Sequence, residues 1–228
     1  MNRQQLVESR LNKGLEQKEA AALLGVSQPY LSLLESGKRK LTRKFAEKVF
    51  NKFELSPEKL PLAENWEDLA EMSNGELAEV IADSGYPKFA HLKGKTQINP
   101  AQILFSALKK ENLDSRIAES LPWLIFTFPE LDWENLTRFA KMFDLQNRLG
   151  FVVNLARQIA ENVKDNQKIS KLSAIEKHLE KSRLLREDVL ANESITEAEK
   201  LFLKTNRSSE AKYWRVLSDL SLQNLDIT

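Results

Sequence analysis

The sequence contains no cysteine, which excludes disulfide bonds, thiolate metal sites and a cysteine nucleophile. Its two histidines, His91 and His178, are too few for the usual zinc ligand sets within one chain. Glycine and proline are scarce at seven residues each, so collagen-like, flexible-linker and proline-rich architectures are excluded. We therefore expect neither a metal ion nor another cofactor.

Long hydrophobic segments are missing as well. The longest apolar stretch lies within LPWLIFTF, from Leu121 to Phe128, far short of the about 20 residues that span a bilayer. The first ten residues, MNRQQLVESR, lack the apolar centre of a signal peptide. These observations predict a cytoplasmic protein without a membrane partner.

Charge is unevenly distributed along the 228 residues, although the net charge is only +1. Residues 1–56 carry a net charge of +5, residues 57–87 carry −7 and residues 88–228 carry +3. A module that binds a polyanion needs positive charge at one place and not over the whole chain. The gradient therefore indicates that the N-terminal segment is the candidate binding module.

Hydrophobic periodicity is helical almost throughout, and β-branched residues are sparse and scattered. The sequence predicts an all-α protein: a bundle of about five helices in residues 1–56, an acidic connecting segment in residues 57–98 and a larger helical C-terminal domain in residues 99–228. In the C-terminal domain we predict helices at Pro100–Asn112, Ser115–Thr127, Trp133–Phe143, Leu145–Val163, Ser170–Leu190, Thr196–Thr205 and Glu210–Leu222. Helix starts are indicated by N-cap residues at Asn99, at either Asp114 or Ser115, at Asp132 and at Thr196.

The most informative stretch is Gln17 to Lys44, QKEAAALLGVSQPYLSLLESGKRKLTRK. A helix-turn-helix needs two short helices that cross closely at a turn which glycine adopts at little cost. Apolar, small and turn-forming residues occur here at the required spacing: Ala20, Ala21, Leu24, Gly25, Val26, Leu31 and Leu34. Ser27 is a good N-cap for the second helix, and Pro29 in its first turn loses no intrahelical hydrogen bond.

The second helix of this motif presents a polar face to solvent if Leu31 and Leu34 point into the core. Glutamine can pair with adenine in the major groove, serine can reach purine edges, and apolar groups can contact thymine methyls. Because the N-terminal end of such a helix enters the groove, the candidate DNA-binding residues are Ser27, Gln28, Pro29, Tyr30, Ser32 and Leu33.

A basic run follows the second helix, with Lys38, Arg39, Lys40, Arg43 and Lys44 within seven residues. Cations at this place are suited to phosphate contacts, which fix register without reading sequence. Gln17, at the start of the first helix, is placed to hydrogen-bond a phosphate. A basic run alone is more often a solvated surface, and the apolar spacing alone is compatible with a packed hairpin or a protein-interaction domain. Their combination predicts binding to double-stranded operator DNA.

Residues 3–55, above all LEQKEAAALLGVSQPYLSLLESGKRKLT, resemble the Xre-type, phage repressor-like family of helix-turn-helix proteins. The resemblance implies a compact bundle of about five helices that binds its operator as a homodimer. Glu16 stands where relatives usually have a serine or threonine N-cap, and Pro29 and Leu33 replace polar base-contact residues. These departures shift direct readout towards Gln28, Tyr30 and Ser32.

The C-terminal region is long and apolar enough to bury its own core. We expect most aromatic residues of Leu121–Ala160 to be core residues, flanked by Arg138, Arg148 and Arg157. Gly150 within a helical run indicates a close helix–helix approach. The stretch Leu172–Leu190 is either a surface helix or a partner-binding helix, and the first reading is slightly favoured.

Motifs of catalysis are not found in the sequence: there is no glycine-rich phosphate loop, zinc motif, G-x-S-x-G or kinase signature. His91 and His178 have no carboxylate at an informative spacing, so we expect them at or near the surface. The sequence therefore predicts no catalytic residue and no enzyme.

Four C-terminal segments resemble bacterial helix-turn-helix antitoxins that are paired with nucleotidyltransferase toxins of the abortive-infection type. They are GYPKFAHL, LPWLIFTFPELDWENLTRFAKMFDLQNRLGFVVNLAR, LEKSRLLREDVLANESITEAEKLFL and NRSSEAKYWRVLSDL. The resemblance implies a protein that neutralises such a toxin and represses its own operon. The alternatives are a one-component regulator whose C-terminal domain binds a ligand or only dimerises, and an enzyme with a DNA-binding head.

Overall fold

The computed structural model describes residues 1, 3–62, 72–92, 94, 98–190 and 196–225. The chain divides into two compact units, Met1–Glu64 and Asn65–Thr228. The architecture is an N-terminal helix-turn-helix bundle followed by a larger helical unit, as predicted from the hydrophobic periodicity. No helix in the described ranges is long and apolar enough to cross a membrane.

The first unit is a small bundle around one core. Its helices are α1 Arg3–Asn12, α2 Gln17–Leu23, α3 Gln28–Glu35 and α4 Arg43–Phe53, with a 3₁₀ turn at Pro57–Lys59. The core is formed by apolar side chains from all four helices, among them Leu6, Leu24, Leu31, Leu34, Val49 and Phe53. The predicted inward positions of the helix-turn-helix are therefore confirmed.

The turn between α2 and α3 follows from local chemistry. Gly25 has a φ of +57°, the left-handed region that a side chain rarely adopts, and this ends α2. Ser27 then caps α3, since its Oγ accepts a hydrogen bond from the Tyr30 backbone N–H at 3.4 Å. At the start of α2, the Glu16 backbone N–H donates to the Glu19 carboxylate at 2.8 Å.

The second unit contains eight α-helices within the described residues. They are α5 Asn74–Asp83, α6 Pro100–Lys109, α7 Ser115–Thr127, α8 Trp133–Met142, α9 Gln146–Asn162, α10 Asn166–Glu180, α11 Glu197–Asn206 and α12 Ser209–Tyr213. There are also 3₁₀ turns at Pro87–Leu92 and Leu222–Asn224, and two parallel strands, β1 Asp188–Val189 and β2 Val216–Leu217. The predicted N-caps at Asn99, Asp132 and Thr196 are confirmed, and of the two alternatives Asp114 and Ser115 the N-cap is Asp114.

Helix α9 is the centre of the second unit and packs against α7 and α10. At Gly150 the indole ring of Trp214 lies where a side chain would be, since a Cβ there would come within 2.2 Å of the ring. The close approach predicted at Gly150 is therefore made by a tryptophan ring and not by a second helix. Trp214 is fully buried as a result.

Part of the segment 57–98, predicted to be an acidic connection, contributes to the core of the second unit. Leu77 and Ile81 of α5 are fully buried, and Tyr86 packs against Trp123 with ring centroids 5.1 Å apart. Because these apolar residues recur at helical spacing among the charged ones, α5 has an apolar face that is buried, although the segment as a whole is acidic.

Two predicted helices end earlier than expected. The helix predicted at Ser170–Leu190 begins at Asn166 and ends at Glu180, and the one predicted at Glu210–Leu222 ends at Tyr213. Both chain segments leave the helix to form the parallel strand pair, in which Asp188 lies opposite Val216. Arg215, with a φ of +55°, marks the point at which the second of these helices cannot continue.

Candidate nucleic-acid interface

Helix α3 turns a mixed polar and apolar face to solvent. Gln28, Pro29 and Leu33 are exposed, and Ser32 is half-buried, whereas Leu31 and Leu34 are buried. The outward face predicted from the sequence is thus present on a single helix, with its N-terminal end open to solvent.

A chain of hydrogen bonds runs from the interior of the bundle to this face. Arg10 Nε donates to Glu35 Oε1 at 2.7 Å, and only 13% and 7% of these side chains are exposed. Gln17 Nε2 donates to Glu35 Oε2 at 3.0 Å. Gln28 Nε2 then donates to Gln17 Oε1 at 2.8 Å. A largely buried ion pair therefore orients Gln17, which in turn orients Gln28.

The hydrogen bond to Gln17 uses one of the two amide hydrogens of Gln28. Its second N–H and its Oε1 are left for other partners. One donor and one acceptor on a planar amide are what a bidentate contact with adenine N7 and N6 requires. Because the amide is already held, less side-chain freedom is lost on contact with a base. Gln17 likewise keeps a second N–H for a phosphate.

Tyr30 is held between the core and the basic turn. Its ring packs edge-on against Phe45, with centroids 5.9 Å apart. The Arg39 guanidinium lies over the Tyr30 ring, 4.7 Å from its centroid. Arg39 is also fixed through its backbone, because its N–H donates to the Leu33 carbonyl at 3.0 Å. The two predicted contact residues Tyr30, in the first turn of α3, and Arg39, in the basic turn after it, are therefore in direct contact.

The remaining cations of the basic turn are exposed. Within the part of the chain that the structure describes, Lys38, Lys40 and Lys44 form no ion pair. Arg43 pairs with Glu47 one turn further along α4, at 3.0 Å, in a pair that is largely open to solvent. Exposed pairs of this kind contribute little free energy, so Arg43 can exchange its partner for a phosphate at low cost.

Arg10 and Glu35 are the positioning residues that sequence reasoning did not find. They lie 25 positions apart, and no local spacing relates them. One feature of the sequence could have indicated this pair: Glu35 follows directly after the buried Leu34 on the same helix. A charge on the inner side of a helix requires a partner of opposite charge.

Outside this face, the described residues hold no group of three or more histidine, aspartate or glutamate side chains that could bind a metal ion. His91 and His178 are both exposed, as expected.

Residues 6–60 match the family model described as helix-turn-helix. No match was found among curated proteins or among solved structures. The family match confirms the helix-turn-helix assignment of the N-terminal unit and supports a DNA-binding transcription regulator. It covers none of the region beyond residue 60, so the resemblance of that region to antitoxins stays a prediction.

Proposed function

We propose that the protein is a sequence-specific repressor that acts as the antitoxin of a nucleotidyltransferase-type toxin and controls its own operon. The observation that carries the DNA-reading part is the exposed Gln28 amide, held in place by Gln17 at the N-terminal end of α3. In this proposal α3 lies in the major groove, and Gln28, Ser32 and Leu33 contact base edges.

The phosphate contacts in this proposal come from the basic turn that follows α3. Lys38, Lys40 and Lys44 are exposed and without ion pairs among the described residues, so no internal salt bridge has to be broken when they meet phosphates. Gln17 contributes a further hydrogen bond from the start of α2. These contacts set the register of α3 on the duplex.

The C-terminal unit supplies toxin neutralisation in this proposal, and it acts by binding and not by catalysis. The support is the resemblance of its segments to antitoxins, together with a core of its own around α9 that can present a stable surface. Toxin binding changes operator affinity only if the toxin prefers the DNA-bound or the free form of the protein.

One observation favours a second candidate, a one-component regulator that responds to a small ligand. A cavity of about 390 Å³ lies in the second unit between α5, the 3₁₀ turn Pro87–Leu92 and the start of α7. Apolar groups from Phe89 and Ile117 line it beside two ion pairs, Lys88–Glu119 and Arg116–Asp114. Its size suits a small metabolite.

Co-expression with the neighbouring reading frame of the operon, one protein tagged, tests the proposal. We expect rescue of growth and co-purification of the two proteins. The variant Gln28→Ala should still rescue growth but should lose repression of a reporter driven by the operon's own promoter. Absence of toxicity and of a complex, with repression intact, would leave the one-component regulator. Repression that Gln28→Ala does not change would contradict the DNA-reading role.

A further inference from the structure

The first turn of α1 places one cation against the turn that ends α3. Arg3 Nη1 donates a hydrogen bond to the Ser36 carbonyl at 3.2 Å. Ser36 is the C-cap residue of α3, and the turn continues through Gly37 into the basic run that begins at Lys38. Arg3 and Ser36 are 33 positions apart, so no local sequence pattern relates them. Only the folded bundle brings this arginine to the basic turn.

Gly37 gives the Arg3 side chain the space that it occupies. A Cβ at this position would come within 3.0 Å of Arg3 Nη1 and 3.2 Å of Arg3 Cδ. Gly37 also has a φ of +75°, in the left-handed region that other residues rarely adopt. The Arg3 side chain therefore lies directly against the backbone of the turn, at the residue that precedes Lys38.

The Arg3 guanidinium is held in place, but its charge is not neutralised. A guanidinium has five N–H donors, and the contact with Ser36 uses one of them. Arg3 is exposed and forms no ion pair with the other residues that the structure describes. The one acid of α3, Glu35, already accepts hydrogen bonds from Arg10 and Gln17. Four donors of Arg3 are therefore available to an anion from outside the chain.

The contact with Ser36 also has a purely structural interpretation. The last carbonyls of a helix carry partial negative charge, so a cation at this end stabilises the helix. A cap of this kind accounts for one donor and for the position of the side chain. It does not use the other four donors, and it leaves the whole charge of Arg3 facing solvent.

The surroundings of Arg3 favour an anion. Lys38, Arg39 and Lys40 follow the turn directly, and within the described ranges none of the three forms an ion pair. Cations that lie close together repel each other, and an anion that binds among them removes this repulsion. In the proposed function α3 lies in the major groove, so the turn at its end lies beside a phosphate backbone.

We propose that Arg3 binds a backbone phosphate of the DNA on which α3 is docked, beside the phosphates bound by the basic turn. Nε and Nη2 take no part in the contact with Ser36, and together they can donate two parallel hydrogen bonds to phosphate oxygens. Because the Ser36 carbonyl already holds the side chain, less conformational freedom is lost on binding. The proposal rests on the DNA binding of the proposed function and adds to it a phosphate contact from α1.

The salt dependence of binding tests the proposal with the full chain and a synthetic duplex of arbitrary sequence, because a phosphate contact does not depend on the bases. Arg3→Gln should reduce the slope of log K against log salt by about 0.9, so the wild type gains about eightfold over the variant for each tenfold fall in salt concentration. Arg3→Lys keeps the charge and should keep the slope.

Lys52→Gln is the matched control, since it removes one positive charge from the same unit. Lys52 is exposed and has no ion pair in the described part of the chain. It lies about 14 Å further along α4 than Arg43, away from the basic turn. Its replacement should leave the slope unchanged.

A helix cap without a phosphate contact gives a different result. Its loss lowers the stability of the bundle, and it weakens DNA binding by the same factor at every salt concentration. An unchanged slope for Arg3→Gln therefore overturns the proposal, whatever happens to the affinity or to thermal unfolding. If the wild type binds no duplex at all, the proposed function fails and the role of Arg3 fails with it. Wild-type binding with an unchanged slope for the variant contradicts the role of Arg3 alone.

Single uncharged phosphates locate the contact. In a duplex that carries the operator, each phosphate in turn is replaced by a methylphosphonate, which has no charge. At the phosphate that Arg3 contacts, this replacement should weaken binding of the wild type and leave binding of the Arg3→Gln chain unchanged, because the variant has already lost the interaction. Equal losses for both chains at every phosphate overturn the assignment.

Discussion

The Gln28 side chain is exposed to solvent, but its amide is held in place because Nε2 donates to Gln17 Oε1 at 2.8 Å. We expect Gln28→Ala to weaken specific operator binding by about 1–3 kcal/mol and to relax the preference at one base pair of each half-site. Binding titrations with the operator and with single-base variants measure both effects. Gln167→Ala, an exposed glutamine on α10, is the control and should leave affinity unchanged. An equal loss on every sequence would move Gln28 out of the base-reading class.

A second prediction at this scale concerns the stability of Gly150 variants, because the Trp214 ring occupies the space that a side chain at position 150 would fill. Gly150→Ala should lower the free energy of unfolding by about 1–3 kcal/mol, the range for overpacked cores. Gly75→Ala is a matched control, since that glycine is also helical but its nearest neighbour lies 3.8 Å from the added Cβ. Chemical denaturation of both variants decides the point, and equal stabilities would contradict the close contact.

At the scale of elements, the Arg10–Glu35 pair joins α1 to α3 inside the N-terminal bundle. Glu35→Gln leaves the Arg10 charge without its counterion in a largely buried place, so we expect a loss of about 3–5 kcal/mol in unfolding free energy. Glu47→Gln removes the acid of the exposed Arg43 pair and should cost at most about 0.5 kcal/mol. Urea titration followed by circular dichroism measures both. A loss no larger than that of Glu47→Gln would show that the inner pair has no such role.

Glu187, next to β1, accepts hydrogen bonds from Lys204 of α11 at 2.9 Å and from Arg207 at the end of that helix at 2.6 Å, and this tether of α11 depends on pH. Burial disfavours the charge of this carboxylate, but hydrogen bonds from Lys204 and Arg207 outweigh it and hold the pKa of Glu187 below its ordinary value of 4.5. Because the folded-state pKa is lowered, the contacts stabilise the helix position fully above about pH 4.5. This stabilisation is lost as the pH falls through the lower folded-state pKa.

Amide chemical shifts of Leu201 and Phe202 should therefore be constant from neutral pH to about pH 4.5 and change below it. Glu187→Gln should release the helix already at pH 7, at a cost of about 1 kcal/mol. The capping acid Glu199 titrates in both chains, so the contribution of Glu187 is the difference between them. Identical titrations would contradict the tether.

At the scale of the whole molecule, a net charge of +1 does not prevent DNA binding, because the positive charge is concentrated in residues 1–56. We expect Lys40→Ala to weaken binding to all DNA sequences about equally and to reduce the slope of log K against log salt by about 0.9, one phosphate contact. Lys212→Ala, an exposed lysine of the second unit, should leave the slope unchanged. A changed base preference with an unchanged slope would contradict the phosphate role of Lys40.

Features that depend on neighbouring residues were predictable from the sequence. The caps at Asn99, Asp114 and Thr196 act within three residues, and the helices that follow them begin within one residue of the predicted positions. The turn at Gly25 and the inward positions of α2 and α3 depend on the same short-range rules. The exposed face of α3 and the basic turn after it could therefore be found without a structure.

Features that join distant segments were decided by the tertiary structure. Arg10 meets Glu35, Gly150 meets Trp214, and the segment after α10 pairs with the one after α12 in two short strands. Helix periodicity continued through both strand segments, so the sequence predicted helix where the packing of Trp214 and the pairing of backbone groups favoured an extended chain. The sequence by itself determined where helices start and which face of α3 is outward. Only the tertiary structure decided which groups orient Gln28 and which surfaces of the second unit stay uncovered. Both depend on contacts between residues that are far apart in the sequence, and no local sequence pattern identifies such pairs.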